Sequence, residues 1–265
     1  PGLPPVRPPE PPAVQRLVFR IGVVGEARFL SHLETMNAWL RSLRRARAVP
    51  AYSQGFHPHP KVAFAGARPV AEESLGDHMD VILTERVDPA VLLARLQATV
   101  PLGFRVLGVQ EVGLKSPSLM SSVAGADYLF LVDAPPADLP GRVDALIAAE
   151  TLPTERRLKA KKRKKGRGRR HGPMTRVIDL RPNVQIVRLA EPGLEAPVRV
   201  VDGQVVLEVS LDVVDGRGAR PSEIMAALEL EAATVRVVRL RTRFAPGTPL
   251  GPALPPEPPA AAPPA

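Results

Sequence analysis

The sequence predicts an α+β fold: two tandem ferredoxin-like βαββαβ units, each an antiparallel sheet with helices on one face, a basic insertion in the second unit, and disordered Pro-rich tails. Three observations lead there. Strand-like and helix-like apolar patterns come in the order strand, helix, strand, strand, helix, strand, and the second half repeats that order around an insertion. Of 32 prolines in 265 residues, 16 fall in residues 1–12 and 246–265, which marks both ends as low complexity. Residues 156–170 hold 11 Lys and Arg, and the remaining chain carries 25 Lys and Arg against 27 Asp and Glu, so the net charge of +9 is local. The expected organisation is a leader over 1–13, a first unit over 14–115, a second over 116–245 with a basic arm at 156–173, and a Pro/Ala tail over 246–265.

Each element has a local reason. Residues 16–24 (RLVFRIGVV) are a β-rich run ended by Gly25. Ser31 and Glu34 form a capping box, behind which Leu33, Met36, Leu40 and Leu43 recur at helical spacing; Arg44, Arg45 and Arg47 crowd the C-terminal turn before Pro50. Residues 61–65 and 78–84 read as strands, with Gly66, Pro69 and Gly76 punctuating the interval. Asp88 and Pro89 open a second helix that ends near Pro101, and residues 104–112 form a strand. The second half gives a strand at 128–132, a helix at 138–149, strands at 152–158, 175–180, 184–189 and 205–211, a helix at 221–230, and a last strand at 235–244 that alternates apolar residues with Arg. No residue-level identity links the halves.

Composition removes whole classes of chemistry. Cysteine is absent from these residues, so disulfides, thiolate nucleophiles and thiolate-held clusters are not supplied by them. No apolar run approaches the length of a membrane span and no signal-peptide pattern opens the chain, so a cytoplasmic protein without membrane contact is expected. Walker, dinucleotide-binding, zincin and nucleophile-elbow motifs are all missing. No cofactor is implied by the chain's own residues.

The stretch that an ordinary core would not choose is Tyr52, Ser53, Gln54, Gly55, Phe56, His57, Pro58, His59, Pro60. Gly55 permits a sharp turn, and the two prolines keep the backbone around them extended, which places His57 and His59 on one side. Two imidazoles so placed suit metal binding, proton transfer, or recognition of phosphates and base edges. For metal, further ligands would have to come from His32, His78, Asp77, Asp80, Glu72 or Glu73. Arg28, Ser31 and His32 lie at a helix N-terminus, where exposed amides attract anions, and Lys61 comes directly after the motif. Trp39, beside Arg41, Arg44 and Arg45, offers a stacking surface. The run Arg156, Arg157, Lys159, Lys161, Lys162, Arg163, Lys164, Lys165, Arg167, Arg169 and Arg170 has almost no apolar face and suits a polyanion such as RNA, the ribosome or DNA.

Residues 28–33 (RFLSHL), 43–46 (LRRA) and above all the nine-residue motif with 61–65 behind it resemble the bacterial radical-SAM-linked proteins, a family defined by a domain of unknown function. The likeness is strong over about 16–112 and thinner beyond, where 117–120 (PSLM) and Arg220-Pro221 are recognisable. It implies a radical S-adenosylmethionine protein as working partner, with the radical chemistry on the partner. The expectation is therefore an accessory or substrate-presenting module that contacts RNA or the ribosome, with residues 28, 31, 32, 52–57, 59 and 61 as its recognition surface. A rival reading is a metal-independent RNA endonuclease, by fold-level analogy with CRISPR repeat-processing enzymes, in which His57 or His59 deprotonates a 2′-hydroxyl and Lys61 or Arg28 stabilises the developing charge. A third is a metal-binding scaffold.

Overall fold

The computed structural model describes residues 11–54, 56–158, 174–191, 198–248 and 250. Among them the protein is mixed α/β, with a mostly antiparallel sheet and five helices. Gly55, the leader over 1–10, the basic arm over 159–173 and the tail over 251–265 lie outside the described residues, as do the expectations placed on them. No helix among the described residues is long and apolar enough to cross a membrane. The chain divides into two compact units: one takes in 1–128, 195–199 and 236–265, the other 129–194 and 200–235.

In the first unit, β1 (Gln15–Val23) is the central strand. It pairs antiparallel with β3 (Glu73–Leu83) on one side and with β4 (Phe104–Val112) on the other. The outer edge of β3 serves two partners. Its C-terminal half pairs antiparallel with β2 (Val62–Phe64), and its first residues pair in parallel with β11 (Val235–Phe244), Val238 opposite Glu73 and Arg239 opposite Ser74. The first four strands therefore lie in the order β4-β1-β3-β2, and β5 (Val123–Val132) adds to β11.

Strand periodicity of two sorts β1 between the faces. Leu17, Phe19 and Ile21 join Met79, Val81, Leu83 and Phe104 in a core that α1 (His32–Arg45) and α2 (Pro89–Gln97) cover with Trp39, Leu43, Leu92 and Leu96. Both helices are capped as their sequences require: Ser31 Oγ accepts from the Glu34 amide while the Glu34 carboxylate accepts from the Ser31 amide, and Asp88 accepts from the Ala90 and Val91 amides. The buried face of α1 is not the expected stripe. It runs through Thr35, Ala38, Trp39, Ser42 and Leu43, and Leu33 is 60% exposed. Trp39 is wholly buried, edge-on to Phe104, so it offers no surface for stacking. On the other face of the sheet Val18, Val112, Leu119 and Leu250 form a smaller cluster under α3 (Leu119–Ser122), a turn of helix that the sequence pattern does not reveal. Arg16 fixes the approach to α3 by bonding Asp80 at 2.6 Å and the Ser116 and Pro117 carbonyls.

In the second unit, β8 (Val184–Leu189) and β10 (Arg217–Gly218) pair with β9 (Val205–Val214), and β9 pairs with β5. Phe130, Leu131, Val132, Leu207 and Val209 are buried on its strands, as are Leu139, Val143 and Leu146 of α4 (Leu139–Ala148) and Ile224 of α5 (Pro221–Ala227). Arg181 donates to the Ile147 and Ala149 carbonyls, satisfying acceptors that the end of α4 leaves open. β6 (Pro153–Leu158) and β7 (Met174–Asp179) form a separate two-stranded sheet.

Gly76 lies inside β3, not before it. A Cβ there would meet the Arg241 Cα at 2.5 Å and the Leu240 carbonyl oxygen at 2.6 Å, so only glycine lets β11 approach this closely. Replacing Gly76 with Ala is expected to destabilise the protein by about 3 kcal/mol in urea unfolding, whereas Gly66→Ala, with open space around the added carbon, should stay within about 0.5 kcal/mol. Equal effects at the two positions would refute the close approach.

Candidate functional site

Two places in the first unit concentrate chemistry. The first is the nine-residue motif, whose described residues before and after Gly55 are bonded to one another at the base. Ala51 N–H donates to the Ile82 carbonyl and the Ile82 N–H donates to the Lys61 carbonyl, which anchors both ends on β3, and Lys61 N–H donates to the Ala51 carbonyl. Tyr52 and Pro60 form an antiparallel bridge, Ser53 N–H donates to the His59 carbonyl at 2.8 Å, and His59 N–H returns a bond to Ser53 Oγ at 2.9 Å. Both prolines occupy positions where no amide donor is needed. Above this base the side chains face solvent: Phe56 is 98% exposed, Tyr52 is 42% exposed, and Gln54, His57, His59 and Lys61 are also exposed. Neither imidazole has a hydrogen bond or ion pair among the described residues, and no grouping of three metal-ligating side chains occurs among them.

The other expected members of that surface are held in structural bonds. Ser31 is the cap described above, and the Glu34 carboxylate already fills the N-terminus of α1. His32 is exposed but stands edge-on to Phe64, with ring centroids 5.6 Å apart. Arg28 turns to Glu73 at 3.1 Å and lies over the Phe29 ring. Arg156 forks onto Glu223, both bonds 2.6 Å, and donates to the Gly218 carbonyl. The Arg157 side chain and the basic residues from Lys159 to Arg170 lie outside the described residues.

The second place is a buried ionic network that the sequence motifs do not announce. Glu73, fully buried, accepts from Arg28 and twice from Arg236 at 2.9 Å. Asp77 accepts from Arg239 at 2.7 Å; the same guanidinium lies 5.5 Å from the Tyr128 ring centroid and 3.9 Å from Glu72. Arg68 donates to the Arg28, Pro69 and Glu72 carbonyls and so ties the approach to β3 to the segment before α1. Burial works against the charge on Arg239, yet Asp77, Tyr128 and Glu72 together hold its pKa above the ordinary value. Glu72 behaves differently. Its burial outweighs the attraction of Arg239, its Oε2 has no hydrogen bond, and its pKa is pushed up to about 7. The signal for this network is present in the sequence as Glu72, Glu73 and Asp77 at the head of one strand and as the alternation of Arg along the last.

His78 borders the same strand face as Arg20, its direct cross-strand partner. Burial lowers its pKa to about 4, Arg20 adds to that, and Asp77 and a bond to the Gly76 backbone oppose it. Its ring stands edge-on to Phe244, centroids 4.9 Å apart, and its Nδ1 has no partner.

The family described as "Uncharacterized protein conserved in bacteria (DUF2344)" matches over residues 16–213. The chain belongs to that family. No curated protein matches it. Among solved structures, a chain of "Crystal Structure of a Cbf5-Nop10-Gar1 Complex" aligns with 88% of this chain at 12% identity and a TM-score of 0.37. This chain spans 50% of that one, and a likeness at that level carries no argument about function.

Glu72 and His78 make opposite contributions to stability as pH changes. Glu72 keeps its proton in the folded state up to about pH 7, so its contribution is full below its unfolded pKa near 4.5 and is lost as pH rises toward 7. His78 refuses a proton until about pH 4, so its contribution is full above its unfolded pKa near 6.5 and is lost as pH falls toward 4. Between them the slopes cancel. In urea unfolding measured across that window, Glu72→Gln should make the slope of stability against pH more positive by up to about 1.4 kcal/mol per pH unit, and His78→Asn should make it more negative. Parallel curves for the wild type and both variants would show that neither group is perturbed.

Proposed function

We propose that this protein is a non-catalytic recognition module that presents an RNA or ribosome-associated substrate to a radical S-adenosylmethionine partner. Loop 52–60 is its contact surface, and the basic segment over 159–170 supplies sequence-independent affinity. The observation that carries this reading is Phe56, a large apolar ring 98% exposed between segments whose base is bonded to β3. A ring held in water on an ordered base gains by stacking on a planar partner, and neighbouring Tyr52, His57 and His59 add ring faces and donors. The partnership rests on the motif's resemblance to radical-SAM-linked proteins. It is consistent with the lack of cysteine in these residues, since a radical S-adenosylmethionine cluster needs thiolate ligands.

The strand order β4-β1-β3-β2, with α1 and α2 on one face, supports reading the first half as a ferredoxin-like unit; the β5-β9-β8 order supports a second, interrupted by the β6-β7 sheet. The endonuclease reading is the weaker one, because a histidine general base needs a group to orient it and His57 has none among the described residues.

Binding of fluorescent single-stranded RNA, measured by anisotropy over a salt series, tests the reading. Deleting residues 159–170 should flatten the dependence of log affinity on log salt by about 0.7 for each phosphate that the segment would otherwise neutralise. Phe56→Ala should weaken binding by the equivalent of about 1–3 kcal/mol and leave the salt slope unchanged. Unaltered binding in both variants, or cleavage of the RNA that disappears in His57→Ala, would overturn it.

A further inference from the structure

A cleft of about 550 Å³ opens on the sheet face opposite α1 and α2, and every residue that lines it belongs to the first unit. Its polar wall is Arg20, His78, Gln110, Arg241 and Arg243, and Phe244 supplies an aromatic side. The strand pairing builds this wall. Arg20 and His78 face each other across β1 and β3, and Gln110 lies opposite Val18 on the other flank of β1. Arg241 and Arg243 come from β11, which reaches the cleft only because Gly76 admits its backbone.

The electrostatics of the cleft are one-sided. Three guanidiniums line it, and no carboxylate does among the described residues. Asp127 bonds Arg241 at 2.6 Å and Arg243 at 3.0 Å from outside the lining, and Arg20 donates to the Leu75 carbonyl at 3.0 Å. A concave site with such an excess concentrates anions, and guanidiniums match phosphate oxygens in pairs. The other end of the cleft suits a ring. Phe244 and His78 stand edge to face, and His78 carries a buried Nδ1 with no partner. The volume lies in the range of sites for ligands of nucleotide size.

We infer that this cleft binds a nucleoside phosphate, free or as the terminal nucleotide of a strand, with the phosphate on Arg20, Arg241 and Arg243 and the base against Phe244 and His78. The site is separate from loop 52–60. It binds by charge and stacking and involves no covalent step.

Calorimetric titration of the full chain tests this with four probes: ADP, adenosine, and a tetranucleotide with or without a 5′-phosphate. ADP should bind saturably and adenosine at least about tenfold more weakly. Arg241→Gln should reduce ADP affinity by about tenfold or more. Because that change also leaves Asp127 with one fewer partner, Asp127→Asn serves as the complementary variant: it removes the neutralising charge and should tighten ADP binding by about threefold. Phe244→Leu should weaken ADP and adenosine alike. Binding of the 5′-phosphorylated tetranucleotide and not its unphosphorylated form assigns the site to strand ends, and binding of ADP alone assigns it to the free nucleotide. Phe56→Ala should leave ADP affinity unchanged, which separates failure here from failure of the recognition loop. No saturable binding of ADP or of the phosphorylated tetranucleotide, equal affinity for ADP and adenosine, or weaker ADP binding in Asp127→Asn would overturn the inference.

Discussion

The first unit depends on one interaction, the pairing of the carboxylates at the head of β3 with the arginines of β11. Glu73 is completely buried, and an ionised carboxylate in that position is tolerable only with donors around it. Arg236 and Arg28 supply them, and Asp77 with Arg239 repeats the arrangement further along the strand. Removing either partner would strand a buried charge, so the pairs favour one placement of β11 over others. The parallel register of Val238 with Glu73 is the result, as is the position of the segment after Phe244 that closes one side of the cleft. The network thus links strand pairing to the geometry of a site that it does not itself line.

The protein presents two kinds of surface. Loop 52–60 is ordered at its base by backbone bonds and exposes its rings, which suits contact with a large partner that brings its own shape. The cleft is concave, basic and partly aromatic, which suits a small anion with a planar portion. Arg28 and Ser31, by contrast, are bonded into the fold, so the helix N-terminus that the sequence offered as an anion site is answered from within by Glu34.

Much of the element order was legible, because caps, prolines and alternation act locally. Residues 104–112, 184–189 and 235–244 are strands with the boundaries their sequences suggest. The structure departs from the sequence pattern where packing fit outweighs apolar size, where backbones approach closely, or where an element is very short. Leu33 belongs by pattern to the buried stripe of α1, but the helix turns Thr35, Ala38 and Ser42 inward, where small side chains allow close packing around Trp39. Gly76 has the pattern of a break before β3, yet it is the residue that lets β11 approach. The four residues of α3 carry too little periodicity to be seen at all. The exposed loop was legible through Gly55, Pro58 and Pro60, whereas the cleft was not, since Arg20, His78, Gln110 and Arg241 are scattered from one end of the domain sequence to the other.

By itself, the sequence determined the order of most helices and strands, the single basic segment, and the unusual loop, since each depends on residues within one or two turns of one another. Which face of α1 is buried, where β11 pairs, and which arginines are neutralised were decided by tertiary structure alone. Those outcomes rest on burial and on charge pairing between residues far apart in the chain. Only the assembled fold determines the dielectric and the distance on which such pairing depends.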